Sequence, residues 1–272
     1  MPEHMPRMTW MQGTGNRFVL VDQSDLGDWD PAALAIQLAR SSGQSDGLLL
    51  LNQVPGGADV EMAIINADGS SAEMCGNGLR CVAYDMTRRG HFTGKTIRVR
   101  IGSHTLAARV IPTKNGEAMV CTRMPIAQVM PGSDLMRVEL GNSHGVLLYD
   151  SLPTSSAWSE QVHALHQDGL HDLNLHAVHI LDNATLEMQS WERGVGPTQA
   201  CASGATAAVS ALASKGLIRN IALVHQPGGV LRVHWRGPER EPTNIGTVGD
   251  VSLPTDTSDP ATISMGHKAS SQ

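Results

Sequence analysis

Glu73-Met74-Cys75-Gly76-Asn77-Gly78 and Gln199-Ala200-Cys201-Ala202-Ser203-Gly204 set a cysteine in the same surroundings twice, with 126 positions between Cys75 and Cys201. Carrying that shift along the chain without gaps lays Gly15-Asn16 on Gly141-Asn142, Asp46 on Asp172, and Glu61-Met62 on Glu187-Met188. It also lays Gly78 on Gly204, Gly90 on Gly216 and Gly102 on Gly228, while Asn66 falls opposite Glu192. The kinds of residue that coincide carry the inference more than their number. Glycine and asparagine at turns constrain the backbone, and cysteine carries chemistry. The chain therefore reads as two copies of one domain, related by a pseudo-twofold axis.

Local patterns agree with this division. Phe18-Val19-Leu20-Val21 and Val146-Leu147-Leu148-Tyr149 are short apolar runs after a Gly-Asn turn, as buried strands are. Residues 31–40 read as a helix opened by Pro31 behind Asp30. Residues 75–89 and 201–215 read as a pair of helices stopped by Gly90 and Gly216, so each cysteine stands at a helix N-terminus. Further strands are expected at 96–101, 106–111, 177–181, 221–225 and 230–235, with Pro227-Gly228-Gly229 as a turn. The resulting division is 1–123, completed by 247–256, then 124–246, with 257–272 as a disordered tail.

Composition narrows the function. The 272 residues are 41% hydrophobic and 17% charged with net charge −6, and contain only two Phe and two Tyr, so aliphatic side chains must fill the core. A mildly acidic chain poor in aromatics offers neither a cationic groove nor stacking platforms for nucleic acid. The N-terminal residues lack a secretory apolar stretch, and the longest aliphatic run, 48–51, is too short to span a bilayer. A cytoplasmic protein with a small-molecule partner is expected, and no membrane association. Four scattered cysteines do not make a disulfide framework.

At a helix N-terminus the unpaired N–H groups and the dipole favour a thiolate, making Cys75 and Cys201 candidate bases. The same N–H groups suit a carboxylate. If the two helix starts face each other, one cleft holds two thiols and two anion sites. That suits inversion at a carbon beside a carboxylate, one thiolate removing the α-proton while the opposed thiol protonates the other face. Cys81 and Cys121 lack this setting and read as packing residues. The histidines at 163, 166, 171, 176 and 179 read as solvated loop and helix residues, and no metal is expected, because no HExxH or third ligand accompanies them.

The run from Asn66 to Cys81, together with Glu192-Arg193-Gly194-Val195-Gly196 and Ala200-Cys201, closely resembles the two signatures of the diaminopimelate epimerase family. Gly13-Thr14-Gly15-Asn16, Gly141-Asn142-Ser143-His144 and Pro227-Gly228-Gly229 are similar to further landmarks in the same order, so the resemblance spans about residues 10–253. It implies an α/β (α+β) fold of two pseudosymmetric domains, each a curved sheet or barrel around a central helix, with the site in the cleft between them. It also implies a cofactor-independent isomerase converting LL- to meso-diaminopimelate for lysine and peptidoglycan synthesis; a homodimer is expected on base rate alone.

By position, Cys75 and Cys201 match the acid/base pair, and His144 and Glu192 the polar pair supporting them. Asn16, Asn66, Gly76, Asn77, Asn142, Asn174, Glu192 and Arg193 match substrate contacts, with Ala202 and Ser203 in the remaining contact positions. Arg17, Ser143, Pro197 and Ala202-Ser203 depart from the family pattern, as does Leu175. A racemase of another amino acid and a catalytically inactive amino-acid-binding relative therefore remain as alternatives.

Overall fold

The computed structural model describes residues 5–41, 44–54, 56–113, 118–132 and 134–251. The tail expected at 257–272 lies outside them. The first half runs β1 (Thr9–Gly13), β2 (Asn16–Asp22), α1 (Pro31–Arg40), β3 (Gly47–Asn52), β4 (Val60–Asn66), β5 (Ser71–Ala72), α2 (Gly76–Arg88), β6 (Ile97–Ile101), β7 (His104–Pro112) and β8 (Ala118–Arg123). After the short β9 (Gln128–Val129), the same order returns. It runs β10 (Leu135–Glu139), β11 (Ser143–Tyr149), α3 (Ser155–Leu165), β12 (Asn174–Asp182), β13 (Thr185–Glu192), β14 (Gly196–Thr198), α4 (Ala202–Ser214), β15 (Ile221–Gln226), β16 (Gly229–His234) and β17 (Thr243–Asp250).

Pairing repeats along with order. β2 and β3 are parallel, as are β11 and β12; β4 runs parallel to β6, as β13 does to β15. The first half closes into a ring, β1–β2–β3–β4–β6–β7–β8–β17 and back to β1, around α2. β17 also pairs with β16, so it belongs to both halves. In the second half β10 through β16 wrap α4, with β9 laid on β10. The fold is thus a mixed α/β arrangement of curved sheet around two inner helices, with α1 and α3 outside.

The residues explain these positions. In β3, alternate side chains face opposite ways, so Leu49 and Leu51 enter the main core while Leu48 and Leu50 pack with Leu34 and Leu38 of α1. In β12, Leu175 and Ala177 pack with Trp158 and Val162 of α3, which leaves Asn174, His176 and Val178 on the α4 face. Helix α4, ASGATAAVSALAS, carries no charge and is buried from Ala202 to Leu212, as a helix enclosed by strands must be. Its alanines let the surrounding backbones close in.

The gapless shift errs at one place. Phe18 pairs with Gly47, but His144 pairs with Asn174, so the second half has one more residue between its first two parallel strands. Leu173, not Asp172, therefore takes the place of Asp46.

Candidate functional site

Both inner helices begin at their cysteine, and the two starts meet. Cys75 is the N-cap of α2 and accepts from Gly78 N–H at 3.2 Å; Cys201 is the N-cap of α4 and accepts from Gly204 N–H at 3.3 Å. A Cβ placed on Gly76 would lie 2.8 Å from the Ala202 Cβ, so one methyl group fills the space between the helix starts. Two positive helix ends converge there.

A cavity of about 300 Å³ opens at this junction and is lined by both cysteines. Asn16, Asn66, Gly76, Asn77, Asn142, Asn174, Glu192, Arg193, Ala202 and Ser203 all line it as well. His144 does not. It is fully buried behind Cys201, with Nε2 2.8 Å from Asn142 Oδ1 and Nδ1 2.9 Å from His176 Nε2.

Several amides in the wall are held by the protein itself. Asn77 Nδ2 donates to Ala200 O at 2.7 Å and to Asn16 Oδ1 at 3.2 Å, and Asn16 Oδ1 also accepts from Ala200 N–H at 3.1 Å. These bonds pin the residue before Cys201 to the first half. Gln226 Oε1 holds Cys201 N–H at 2.8 Å. Asn174 spans Ser143 O, at 3.0 Å, and the Arg193 N–H, at 3.1 Å, fixing the loop that presents Arg193. Across the cavity, Asn66 Nδ2 donates to Ser70 Oγ at 3.0 Å.

Two departures from the family pattern now have a physical setting. The Ala202 Cβ lines the cavity and faces Gly76 across the junction of the two helix starts. Arg17 N–H donates to Asp46 Oδ2 at 2.7 Å, which brings the Asp46 carboxylate to the cavity wall, a feature the sequence did not reveal.

Burial opposes the thiolates that the helix-start positions favour. Burial pushes Cys75 up to about 12, with the Glu192 carboxylate raising it further against the Gly78 and Asn77 N–H groups and Arg80. Burial likewise raises Cys201 well above the usual thiol value, helped by Glu192 and opposed by Ser203 and Gly204. Desolvation outweighs the two N–H bonds and disfavours the charged form of both sulfurs. Glu192 is raised by burial, opposed by hydrogen bonds from Thr198 Oγ1, at 2.6 Å, and from Cys201.

His176 is not the solvated histidine that the sequence suggests. His163 and His171 are exposed and His166 and His179 half-buried, but His176 is fully buried against α4. Burial lowers its pKa to about 3 and lowers that of His144 well below 6.5, so both rings are neutral. The alternation Asn174-Leu175-His176-Ala177-Val178 is the signal that places His176 inward.

The glycine turns at 13–16 and 227–229 interlock. A Cβ on Gly15, whose φ is +85°, would lie 2.5 Å from the Gly228 Cα, and Gly228 N–H donates to Gln199 O at 2.8 Å. Arg80, fully buried, ties Thr14 Oγ1 at 2.8 Å, and also Asn77, Gly76 and Asn244. No helix among the described residues is long and apolar enough to cross a membrane.

The chain is similar to known proteins over most of its length. The chain is 29% identical over 261 residues to a diaminopimelate epimerase of Halothermothrix orenii, covering 84% of this chain and 90% of that protein. It is 31% identical over 262 residues to one of Xanthomonas euvesicatoria pv. vesicatoria, covering 86% and 90%. Among solved structures, a phenazine biosynthesis protein of the PhzF family from Bacillus anthracis superposes with TM-score 0.69 at 12% identity, covering 90% of this chain and 96% of that one. A probable proline racemase from Agrobacterium radiobacter gives 0.66 at 12% identity, covering 95% and 96%; these two show the fold alone. The diaminopimelate epimerase family matches at residues 8–120 and 136–253, and the chain belongs to that family of isomerases.

Proposed function

We propose that the protein interconverts LL- and meso-diaminopimelate by two-base proton transfer between Cys75 and Cys201. The observation that carries this is the meeting of two cysteine-capped helix starts in one cavity of about 300 Å³. The N–H groups ahead of Gly78 and Gly204 have no intrahelical acceptor and are available to the reacting carboxylate. Held there, the carboxylate takes up the charge that develops when the α-proton leaves, so this route requires no cofactor. Because burial disfavours both thiolates, a base forms when the substrate arrives. Its α-ammonium brings a further positive charge beside the sulfurs that favours a thiolate, and Glu192, a hydrogen-bond partner of Cys201, accepts the Cys201 proton. Arg193, with Asn66 and Asn174, suits the distal carboxylate, and Asp46 adds an acceptor for the distal ammonium.

In this reading residues 1–123, completed by 247–256, and 124–246 are the two domains. The enzyme is a cytoplasmic homodimer acting in lysine and peptidoglycan precursor synthesis, and sedimentation tests the dimer. The function is tested by NMR of reduced protein with LL-diaminopimelate in deuterated water. α-Deuterium incorporation with appearance of the meso isomer, lost in Cys75→Ala and in Cys201→Ala, is the expected result. Exchange only with another amino acid would move the function to a sister racemase. Silence with every amino acid tried would leave a binding protein, and full activity in either variant would end the two-base mechanism.

A further inference from the structure

The two cysteines share a backbone setting but not their neighbours. In the first half, Leu49 packs on Gly78 of α2, 3.1 Å from where a Cβ would stand, and Phe18 lies one strand over. The equivalent register positions in the second half are His176, set on Gly204, and His144. A pair of imidazoles thus replaces an apolar pair, beside Cys201 alone. The inner nitrogens, His144 Nδ1 and His176 Nε2, face each other at 2.9 Å. The outer nitrogens are each held by an oxygen, His144 Nε2 by Asn142 Oδ1 at 2.8 Å and His176 Nδ1 by Ser190 Oγ at 3.0 Å. One ligand atom from each ring and the Cys201 sulfur lie within 4.8 Å of one another.

We propose that His144, His176 and Cys201 form a binding site for a borderline-soft divalent cation, Zn²⁺, and that filling it removes Cys201 from catalysis. Imidazole nitrogen and thiolate sulfur are both ligands that zinc takes, and three of them leave one tetrahedral position open. Oxygen partners on the outer nitrogens are the orienting shell such ligands need. Tetrahedral Zn–N bonds of about 2.0–2.1 Å place two nitrogens about 3.3 Å apart, so the rings part by only about 0.4 Å while the sulfur closes in.

The proton balance follows from the hydrogen bonds. An amide oxygen only accepts, so His144 carries its hydrogen on Nε2 and His176 Nε2–H donates to His144 Nδ1. On binding, the His176 hydrogen moves to Nδ1 and donates to Ser190, the Cys201 thiol loses its proton to solvent, and Zn–N and Zn–S bonds form. One proton leaves per zinc and nothing is oxidised.

The test uses Co²⁺ as a spectroscopic substitute in the full-length reduced protein. One equivalent is expected to give the visible bands of a tetrahedral ion and a thiolate-to-cobalt charge-transfer band that zinc abolishes. The charge-transfer band should persist in Cys75→Ala and vanish in Cys201→Ala. His176→Gln, with circular dichroism confirming its fold, should weaken zinc binding more than about 100-fold. Calorimetry in two buffers should read one proton released per zinc. No charge-transfer band in the wild type, a band surviving Cys201→Ala, or unchanged affinity in folded His176→Gln would overturn the site. Inhibition by zinc rests on the epimerase reading, whereas the cobalt bands do not. Cobalt binding without epimerase activity upholds the site and ends that reading; activity without cobalt binding does the reverse.

Discussion

Substitution Gly76→Ala probes the contact on which the cleft depends. The new Cβ would stand 2.8 Å from the Ala202 Cβ, about 1 Å short of the ~3.5–4.0 Å optimum for carbon atoms. Overpacking of this kind costs about 1–3 kcal/mol, against which alanine in place of a helical glycine returns about 0.5–1 kcal/mol. Ala202→Gly alone leaves the interface short of a methyl group and weakens α4 by about 1 kcal/mol. In the double variant the methyl group changes sides. Its nearest neighbours are then Met124 Cε at 3.7 Å and the residue 202 Cα at 3.9 Å, both ordinary contacts. The swap should therefore restore stability to within about 0.5 kcal/mol of the wild type, a coupling of about 1–3 kcal/mol in a double-mutant cycle. Urea unfolding under reducing conditions measures it. α-Deuterium exchange should fall at least about tenfold in Gly76→Ala, where the helix starts are forced apart, and recover in the swap. Additive losses would refute the claim that the two helix starts touch through this one methyl group.

The resting state of the thiols is open to mass-spectrometric alkylation. With Cys75 pushed up to about 12, its rate should rise about tenfold per pH unit from pH 7 to 9, and a plateau in that range would contradict a neutral thiol. The histidine pair makes acid stability steep. His176 is depressed from 6.5 to about 3, so the stability it contributes is present above pH 6.5 and is lost as pH falls towards 3. That amounts to about 1.4 kcal/mol per pH unit for this one group, and unfolding curves that do not shift between pH 7 and 5 would exclude it. Arg80→Met should destabilise the protein by about 2–5 kcal/mol, since the oxygens of Thr14, Asn77 and Asn244 lose a buried donor. A melting temperature unchanged from wild type would count against Arg80 as the tie between the halves.

Much of this architecture is local and so was legible. Asp30-Pro31 opens α1 with the Asp30 side chain on Ala33 N–H at 2.8 Å, and the two cysteines cap α2 and α4 as the glycine stops implied. Helix α3 escaped periodicity, because Trp158 and Val162 alone are buried in it, yet the 126-residue shift of α1 falls on it, and Thr154 caps it through Ala157 N–H at 3.3 Å. The site residues that line the cavity were found by motif. What stayed hidden is what registers and long-range packing decide. The extra residue before β12 moved His176 out of step with Leu49, so the repeat could not show that an imidazole had replaced a leucine. The sharing of β17 between β8, β1 and β16, and the thiols' desolvation, depend on surfaces brought from far along the chain.

The same asymmetry bears on how Cys75 and Cys201 would divide the proposed proton transfer. Glu192 stands where the first half has Asn66, so of the two helix-capping cysteines it is Cys201 that hydrogen-bonds a carboxylate among the described residues. This cannot favour one direction of an inversion, because the equilibrium constant fixes the ratio of the two kcat/KM values. Glu192→Gln must therefore slow both directions by the same factor, about 10²-fold if the carboxylate takes the Cys201 proton. The Glu192 charge also raises Cys75, so its removal should make Cys75 easier to ionise and quicker to alkylate. Turnover and thiol reactivity are thus expected to move in opposite directions in one variant. A carboxylate that merely shapes the cleft would leave Cys75 reactivity unchanged or lower it along with turnover, and that result would remove Glu192 from the proton path.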